Sequence, residues 1–424
     1  MKQKIKKFIK SDLFKVSLFN GVGNFIKILT SLVSNKIAAV FLGPAGIALL
    51  GQFYNFTTMA MSVATVGINN GITKYTAEYC DDNHKRDSIL STGFLLTVMG
   101  SLLVSGIIYF GRYYFSDTIL RSREYIQVFN ILSITLILFA LNSFLFSVLN
   151  GFKEFKKIVI INIATSIVGL AIAVFLIIRF GIYGAFLGVI LSQTLIFFIT
   201  LLMVAKSQWF KFKNFMSGIN KKSTAKLLKF SSMAFTSLFA VTFIQLQIRN
   251  YIIQHISIAD AGYWQGITRI SEIYLLFITA TLGVYYLPKL SEIKSNTELK
   301  KEILKGYAFI LPLAIISSLL ILFFKSFIIN KLFAETFQPM KALFLFQIIG
   351  NILKISSWLL AYLMIAKAMT KVFIVTELLS GITFYFFTIY FVNHYGVIGA
   401  TYSYALNYAL YLIAMVLIFR GYLI

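Results

Sequence analysis

Apolar residues run along this chain in blocks of about 20, separated by short clusters of charged residues, glycine and proline. A helix needs about that many residues to cross the hydrocarbon core of a bilayer. The period-two alternation of outer-membrane barrel strands is absent. The breaks predict twelve transmembrane helices over 12–40, 44–72, 88–111, 125–149, 158–178, 183–205, 228–252, 259–287, 306–324, 342–366, 372–393 and 397–419. Several are longer than a minimal span, so tilt or extension beyond the lipid is expected. The fold class is therefore all-α and polytopic.

Polar residues interrupt these blocks in a regular way. In the first, Asn20, Asn24, Lys27, Ser31 and Asn35 fall on one face at about 100° per residue. Residues 342–366 carry Gln347, Asn351, Lys354 and Trp358 at the same 4-3-4 spacing that surrounds Lys27. Asn55, Thr58, Ser62, Thr65, Asn69 and Thr73 form a stripe on the second helix. Gln265, Thr268, Arg269, Glu272 and Thr279 form another on the eighth. A weaker one on the seventh holds Ser231, Thr242, Gln245 and Arg249. A lysine at mid-span costs about 2.5–3.5 kcal/mol on insertion scales, so such a stripe faces protein or water rather than lipid.

Composition supports the membrane reading. Of the 424 residues 58% are hydrophobic and 13% charged, about half the charge fraction of a soluble domain. The net charge of +24 in a soluble protein would point to nucleic acid. Here most Lys and Arg sit in the short connections, which is a topology signal and leaves no case for nucleic acid. With the N-terminus in the cytoplasm, 26 of the 39 cations fall on the cytoplasmic side and eight on the other. Both termini are therefore expected in the cytoplasm, with "MKQKIKKFIK" flanking a retained first helix.

Three stretches repeat. "AGIALLGQ" from Ala45 and "AGYWQGIT" from Ala261 share an offset of 216, as do "ATVG" at 64–67 and "ATLG" at 280–283. "GIYGA" at 181–185 and "GVIGA" at 396–400 are offset by 215. The pattern predicts an N-lobe over 1–205, a basic cytoplasmic linker over 206–227 and a C-lobe over 228–424. The two six-helix lobes would be related by a pseudo-twofold axis along the membrane normal, around a central cavity.

Inside the spans, Lys27, Arg249, Arg269 and Lys354 outnumber the one deep acid, Glu272. A cavity with excess positive charge attracts an anion, and Lys and Arg both suit phosphate. The expected substrate contacts are therefore Lys27, Asn24, Arg249, Arg269, Lys354, Asn351, Gln347 and Trp358, with Glu272 open to ion coupling. Bland readings stand beside these. Lys27 and Lys354 could be satisfied by helix contacts, Arg249 could anchor at the interface, and Lys36 snorkels outward. Arg269 and Glu272, three apart, could neutralise each other, and Glu377 could pair with Lys371. Ser, Thr and Asn stripes also serve as glue between helices. Cys80 is the only cysteine and His84, His255 and His394 lie far apart, so neither a disulfide nor a metal or cofactor site is expected.

"FLGPAGIALLGQF" (41–53), "GINNGITKYTAEY" (67–79), "GYWQGITRISEIYLLFITATLGVYYLPKLSE" (262–292) and "GNILKISSWLLAYLMIAKA" (350–368) carry a resemblance. They resemble the bacterial flippases for O-antigen and enterobacterial common antigen units. These form the polysaccharide transporter branch of the multidrug/oligosaccharidyl-lipid/polysaccharide exporter superfamily. The resemblance implies an inner-membrane exporter, not an enzyme. Its cargo would be an undecaprenyl-pyrophosphate-linked oligosaccharide, and its partners membrane lipid and other O-antigen assembly proteins. Lys27, Lys36 and Lys354 stand where the resemblance leads one to expect Lys; Arg269 is not expected there. The alternatives are a peptidoglycan-precursor flippase, a multidrug antiporter of the same superfamily, or an O-antigen polymerase or ligase.

Overall fold

The computed structural model describes residues 12–423 apart from 216, 283–285, 294 and 368. The described residues contain no strand. Fifteen helices are used below: α1 (Asp12–Ala64), α2 (Asn69–Glu78), α3 (Asn83–Phe110), α4 (Arg112–Ile119), α5 (Ile126–Gly151), α6 (Phe155–Ala205), α7 (Lys221–Ser237), α8 (Ile244–His255), α9 (Ile258–Thr281), α10 (Leu287–Glu292), α11 (Asn296–Phe323), α12 (Lys325–Leu332), α13 (Phe344–Ala366), α14 (Thr370–Tyr395) and α15 (Ile398–Leu423).

Nine helices among the described residues are long and apolar enough to cross a membrane. Two of these bend sharply and so hold two expected spans each. α1 bends at Gly43 (φ 64°), just before Pro44, and α6 at Gly181 (φ 55°). Pro44 has no N–H to lose at the start of the second arm, so helix resumes there without a broken bond. α9 covers most of the expected eighth span but is not among the nine. The seventh span passes through one π-helical stretch, Leu238–Phe243, which separates α7 from α8. Such insertions tend to mark functional or strained positions.

The chain divides into two compact units. One holds the residues up to Phe41 together with Phe56–Phe235, the other Leu42–Asn55 and Thr236–Ile424. The first is built on Ile72, Tyr75, Phe144, Val148, Ile196 and Leu227. Part of the polar stripe on the second span serves this packing: Asn69 Nδ2 donates to Ser143 Oγ at 2.9 Å and Thr73 Oγ1 to the Ser147 carbonyl at 3.0 Å. Around the other core, Leu275, Ile303, Ile355, Leu359, Tyr411 and Met415 come together. Residues 42–55 belong to that second unit because small residues let backbones touch: a Cβ on Gly262 would overlap the Pro44 carbonyl. In lipid, where apolar burial between helices drives little, such close approach is a main source of packing energy.

The repeat is visible in the backbone. Gly181 and Gly396, the first residues of "GIYGA" and "GVIGA", both adopt positive φ, at 55° and 65°. Three residues on, a Cβ at Gly184 would overlap the Leu176 carbonyl and one at Gly399 the Phe391 carbonyl. In each case the carbonyl lies eight residues earlier, so both copies make the same tight turn. Gly184→Val and Gly399→Val are expected to abolish a monodisperse peak in fluorescence-detected size exclusion. Gly106→Ala, where an added Cβ has nothing within 4 Å, is expected to leave it intact.

Candidate functional site

In the first unit Lys27 is exposed on α1. The side chain of Asn24, one turn earlier, lies outside the described residues.

In the second unit the expected residues separate into three arrangements. The first centres on Arg249 of α8, only 1% exposed. Its guanidinium donates through Nη1 to Gln52 Oε1 at 3.1 Å and through Nη2 to Gln265 Oε1. It lies 5.5 Å from the ring centre of Trp264. Three pieces of chain, 42–55, α8 and α9, are thereby joined by one side chain. Arg249 was expected to offer its charge to a substrate; here it is enclosed and engaged, because its two glutamines and the indole face it from inside the unit. Gln52 and Gln265 were legible as polar residues near the repeat, but nothing in their spacing marked them as its partners.

The second arrangement joins α9, α13 and α15. Gln347 Nε2 and Asn351 Nδ2 both donate to Ser271 Oγ, at 3.1 and 3.0 Å. Tyr404 Oη donates to Asn351 Oδ1 at 3.0 Å. Both amides are buried. They were expected to touch a glycan; in this conformation they instead tie helices together, which buried amides in an apolar bundle do because they have no water to turn to.

The third surrounds a partly buried cation with aromatic side chains. Lys354 Nζ lies 4.9 Å from the Trp358 ring centre, 4.8 Å from Tyr408 and 5.6 Å from Tyr404. Three aromatic faces can hold an ammonium by about 0.5–2 kcal/mol each without neutralising it. The rings leave the ammonium its charge, and Trp358 is itself packed against the core of the second unit. Tyr404 and Tyr408 sit on α15, far away in sequence, and the sequence reading missed both. Nearby on α14, Glu377 accepts from Tyr411 Oη at 2.9 Å and lies within electrostatic reach of Lys354. It was expected to pair with Lys371; among the described residues no such ion pair is present.

Arg269 and Glu272 of α9 form an ion pair at 3.1 Å, each side chain 45% exposed. Of the two readings open for that pair, mutual neutralisation is the arrangement seen.

Residues 13–294 match the family described as polysaccharide biosynthesis protein. The chain belongs to that family. Over 94% of its length it is 27% identical to the lipid III flippase of Escherichia coli (strain K12), covering 96% of that protein. It is 25% identical to a putative O-antigen transporter of Shigella flexneri, with 93% of this chain and 95% of that protein covered. Among solved structures it resembles a multidrug resistance MATE family transporter of the MOP superfamily in an inward-facing conformation. The TM-score is 0.77 at 14% identity, over 93% of this chain and 95% of the other. It also resembles a MOP superfamily transporter from Pyrococcus furiosus, with a TM-score of 0.70 at 13% identity over 96% and 95%. This member of the polysaccharide biosynthesis family is thus a multi-pass membrane protein with the fold of MOP superfamily transporters.

The clamp at Arg249 generates a test. Arg249→Lys keeps the charge but has no fork to span Gln52 and Gln265. Loss of one hydrogen bond to a charged group costs about 1.5–3 kcal/mol. The variant is expected to unfold at a clearly lower temperature than the parent in the same detergent.

Proposed function

We propose that this protein is a flippase. Its cargo is an O-antigen or common-antigen unit carried on undecaprenyl pyrophosphate, turned from the cytoplasmic to the periplasmic leaflet of the inner membrane by alternating access. The observation that carries this reading is similarity along 94% of the chain to a protein named lipid III flippase. The putative O-antigen transporter supports the same substrate class. The twelve-span count, the two six-helix lobes and the cytoplasmic termini belong to the proposal, supported by the apolar periodicity and by the bias of 26 cations to eight.

Chemistry supports an anionic, sugar-bearing cargo. Lys354 keeps its charge among aromatic rings, beside an indole suited to stacking on a pyranose. Lys27 offers a second exposed ammonium in the other unit. Lys354 and Lys27 would engage pyrophosphate or acidic sugars as point charges, and Trp358 would hold the glycan. Arg269 has a weaker claim, since Glu272 already compensates it. Gln347, Asn351 and Arg249 would act by holding helices in place, and Asn24 remains a proposed glycan contact. Moving only the polar headgroup through a hydrated path, with the isoprenoid left in lipid, avoids desolvating the sugars. The protein makes and breaks no bond in this scheme and needs no cofactor.

Purified protein in vesicles loaded on one leaflet with lipid-linked oligosaccharide gives the decisive measurement. Leaflet transfer with no new glycosidic bond is expected; glycan bond formation would instead identify a polymerase or ligase. Lys354→Ala is expected to lower transfer at least about tenfold, the effect of roughly 1.4 kcal/mol lost at the transfer step, while the melting temperature stays near that of the parent. Undiminished transfer in a folded Lys354→Ala protein would remove Lys354 from the pathway. Glu272→Gln tests ion coupling: transport that keeps its pH dependence excludes Glu272 as the titrating group.

A further inference from the structure

Within the first unit, the start of α3 and the segment after α6 line an open cavity of about 410 Å³. Arg86, Lys211 and Asp87 line it, with the amides of Asn83, Gln208 and Asn214 and the indole of Trp209. Its size lies within the range of sites for small polar molecules. None of these residues belongs to the arrangements described above.

The wall of the cavity is held firmly. Glu154 accepts from Trp209 Nε1 at 2.5 Å and from Ser207 Oγ at 3.2 Å, and pairs with Lys157 at 2.6 Å. Phe152 stacks on Trp209 with ring centres 4.4 Å apart and planes 12° from parallel. The Arg86 guanidinium in turn lies 5.6 Å from the centre of Phe152. Phe152 is thus in contact with both the indole and the guanidinium.

Arg86 is oriented but not saturated. Its side chain is 11% exposed and Nη1 donates to the Cys80 carbonyl at 3.1 Å. Its approach to Asp87 is long, at 3.4 Å, and Nε is buried with no acceptor. A guanidinium already fixed by a ring and a main-chain carbonyl has little freedom left to lose when an anion binds. With Lys211 exposed at the rim, the lining holds two cations against one carboxylate. The surplus is one positive charge, and the three amides can donate to further oxygens.

Position narrows the ligand. Asn83–Asp87 is the first turn of α3, whose apolar run begins at Ile89, and 208–214 follow the last turn of α6. Both are points where the chain leaves hydrocarbon, so the cavity opens at the level of the lipid headgroups. Trp209 is an aromatic of the kind concentrated there. A singly charged phosphodiester on a lipid matches that depth, that surplus charge and those donors.

We propose that this cavity binds the phosphate of an anionic membrane-lipid headgroup. The inference goes beyond the flippase reading and does not depend on it. The probe is phosphatidylglycerol, and lipid retained by the purified full-length chain is read by native mass spectrometry against phosphatidylcholine. Retention of phosphatidylglycerol is expected to fall at least about tenfold in Arg86→Gln and in Lys211→Glu, and to be unchanged in Lys222→Glu, an exposed lysine outside the cavity. Lys211 is exposed, so its variant keeps the test valid if Arg86→Gln fails to fold. A further arm uses undecaprenyl phosphate: displacement of phosphatidylglycerol by it would identify the polyprenyl lipid as the preferred source of the phosphate. Equal retention of the zwitterionic lipid, or unchanged retention in folded Lys211→Glu and Arg86→Gln, would overturn the proposal. Displacement by soluble glycerol phosphate at comparable concentration would overturn it too, since the ligand would then be a free anion.

Discussion

A polar side chain inside an apolar bundle has no water to turn to, and must find its partner in the protein. Most of what is specific in this structure follows from that constraint. Arg249 takes two glutamine carbonyls and an indole, and in doing so joins 42–55 to α8 and α9. Gln347 and Asn351 converge on one serine and so join α13 to α9. Threonines and serines along the spans donate to carbonyls three or four residues back, as Thr97 and Thr388 do. Partners for these groups are costly to lose, because an unmet buried donor or acceptor carries its whole desolvation penalty.

The same constraint gives the cations inside the spans different surroundings. Arg249 is buried, with both terminal nitrogens donating to glutamine carbonyls and its Nε without an acceptor. Lys354 is surrounded by rings, which attract an ammonium through their quadrupoles but do not cancel its charge. Arg269 has a carboxylate of its own. Three cations that look alike in the sequence therefore stand in three electrostatic situations. Of the three, only Lys354 is partly buried among aromatic rings. Arg86 is held by a ring and a carbonyl and only loosely by Asp87.

Much of the fold was legible in the chain. Runs of about 20 apolar residues can only be helices where backbone groups have no other partner, and helices are what the described residues form. The two motifs at 181–185 and 396–400 were legible because small residues are needed wherever backbones touch. Gly181 and Gly396 take the same positive φ, and Gly184 and Gly399 the same close approach, in the two copies. The Arg269–Glu272 pair followed from its spacing of three on a helix. The resemblance to flippases rested on the blocks around Arg269 and Lys354, and the family match and relatives agree with it at the level of a polysaccharide-transport membrane protein.

Period and composition determine where helices lie and which residues share a face, since both depend only on neighbours along the chain. They do not determine what that face meets. Tyr404 and Tyr408 reach Lys354 from a helix about 50 residues away in sequence, and Gln52 reaches Arg249 across 197 residues. Residues 42–55 pack with the second unit because Gly262 admits the Pro44 carbonyl. A stripe of amides reads the same whether it faces a glycan or a serine on the next helix. Only the packing of helices against one another decided which, because the energy of a polar group in lipid is set by the partner it finds and not by its place in the chain.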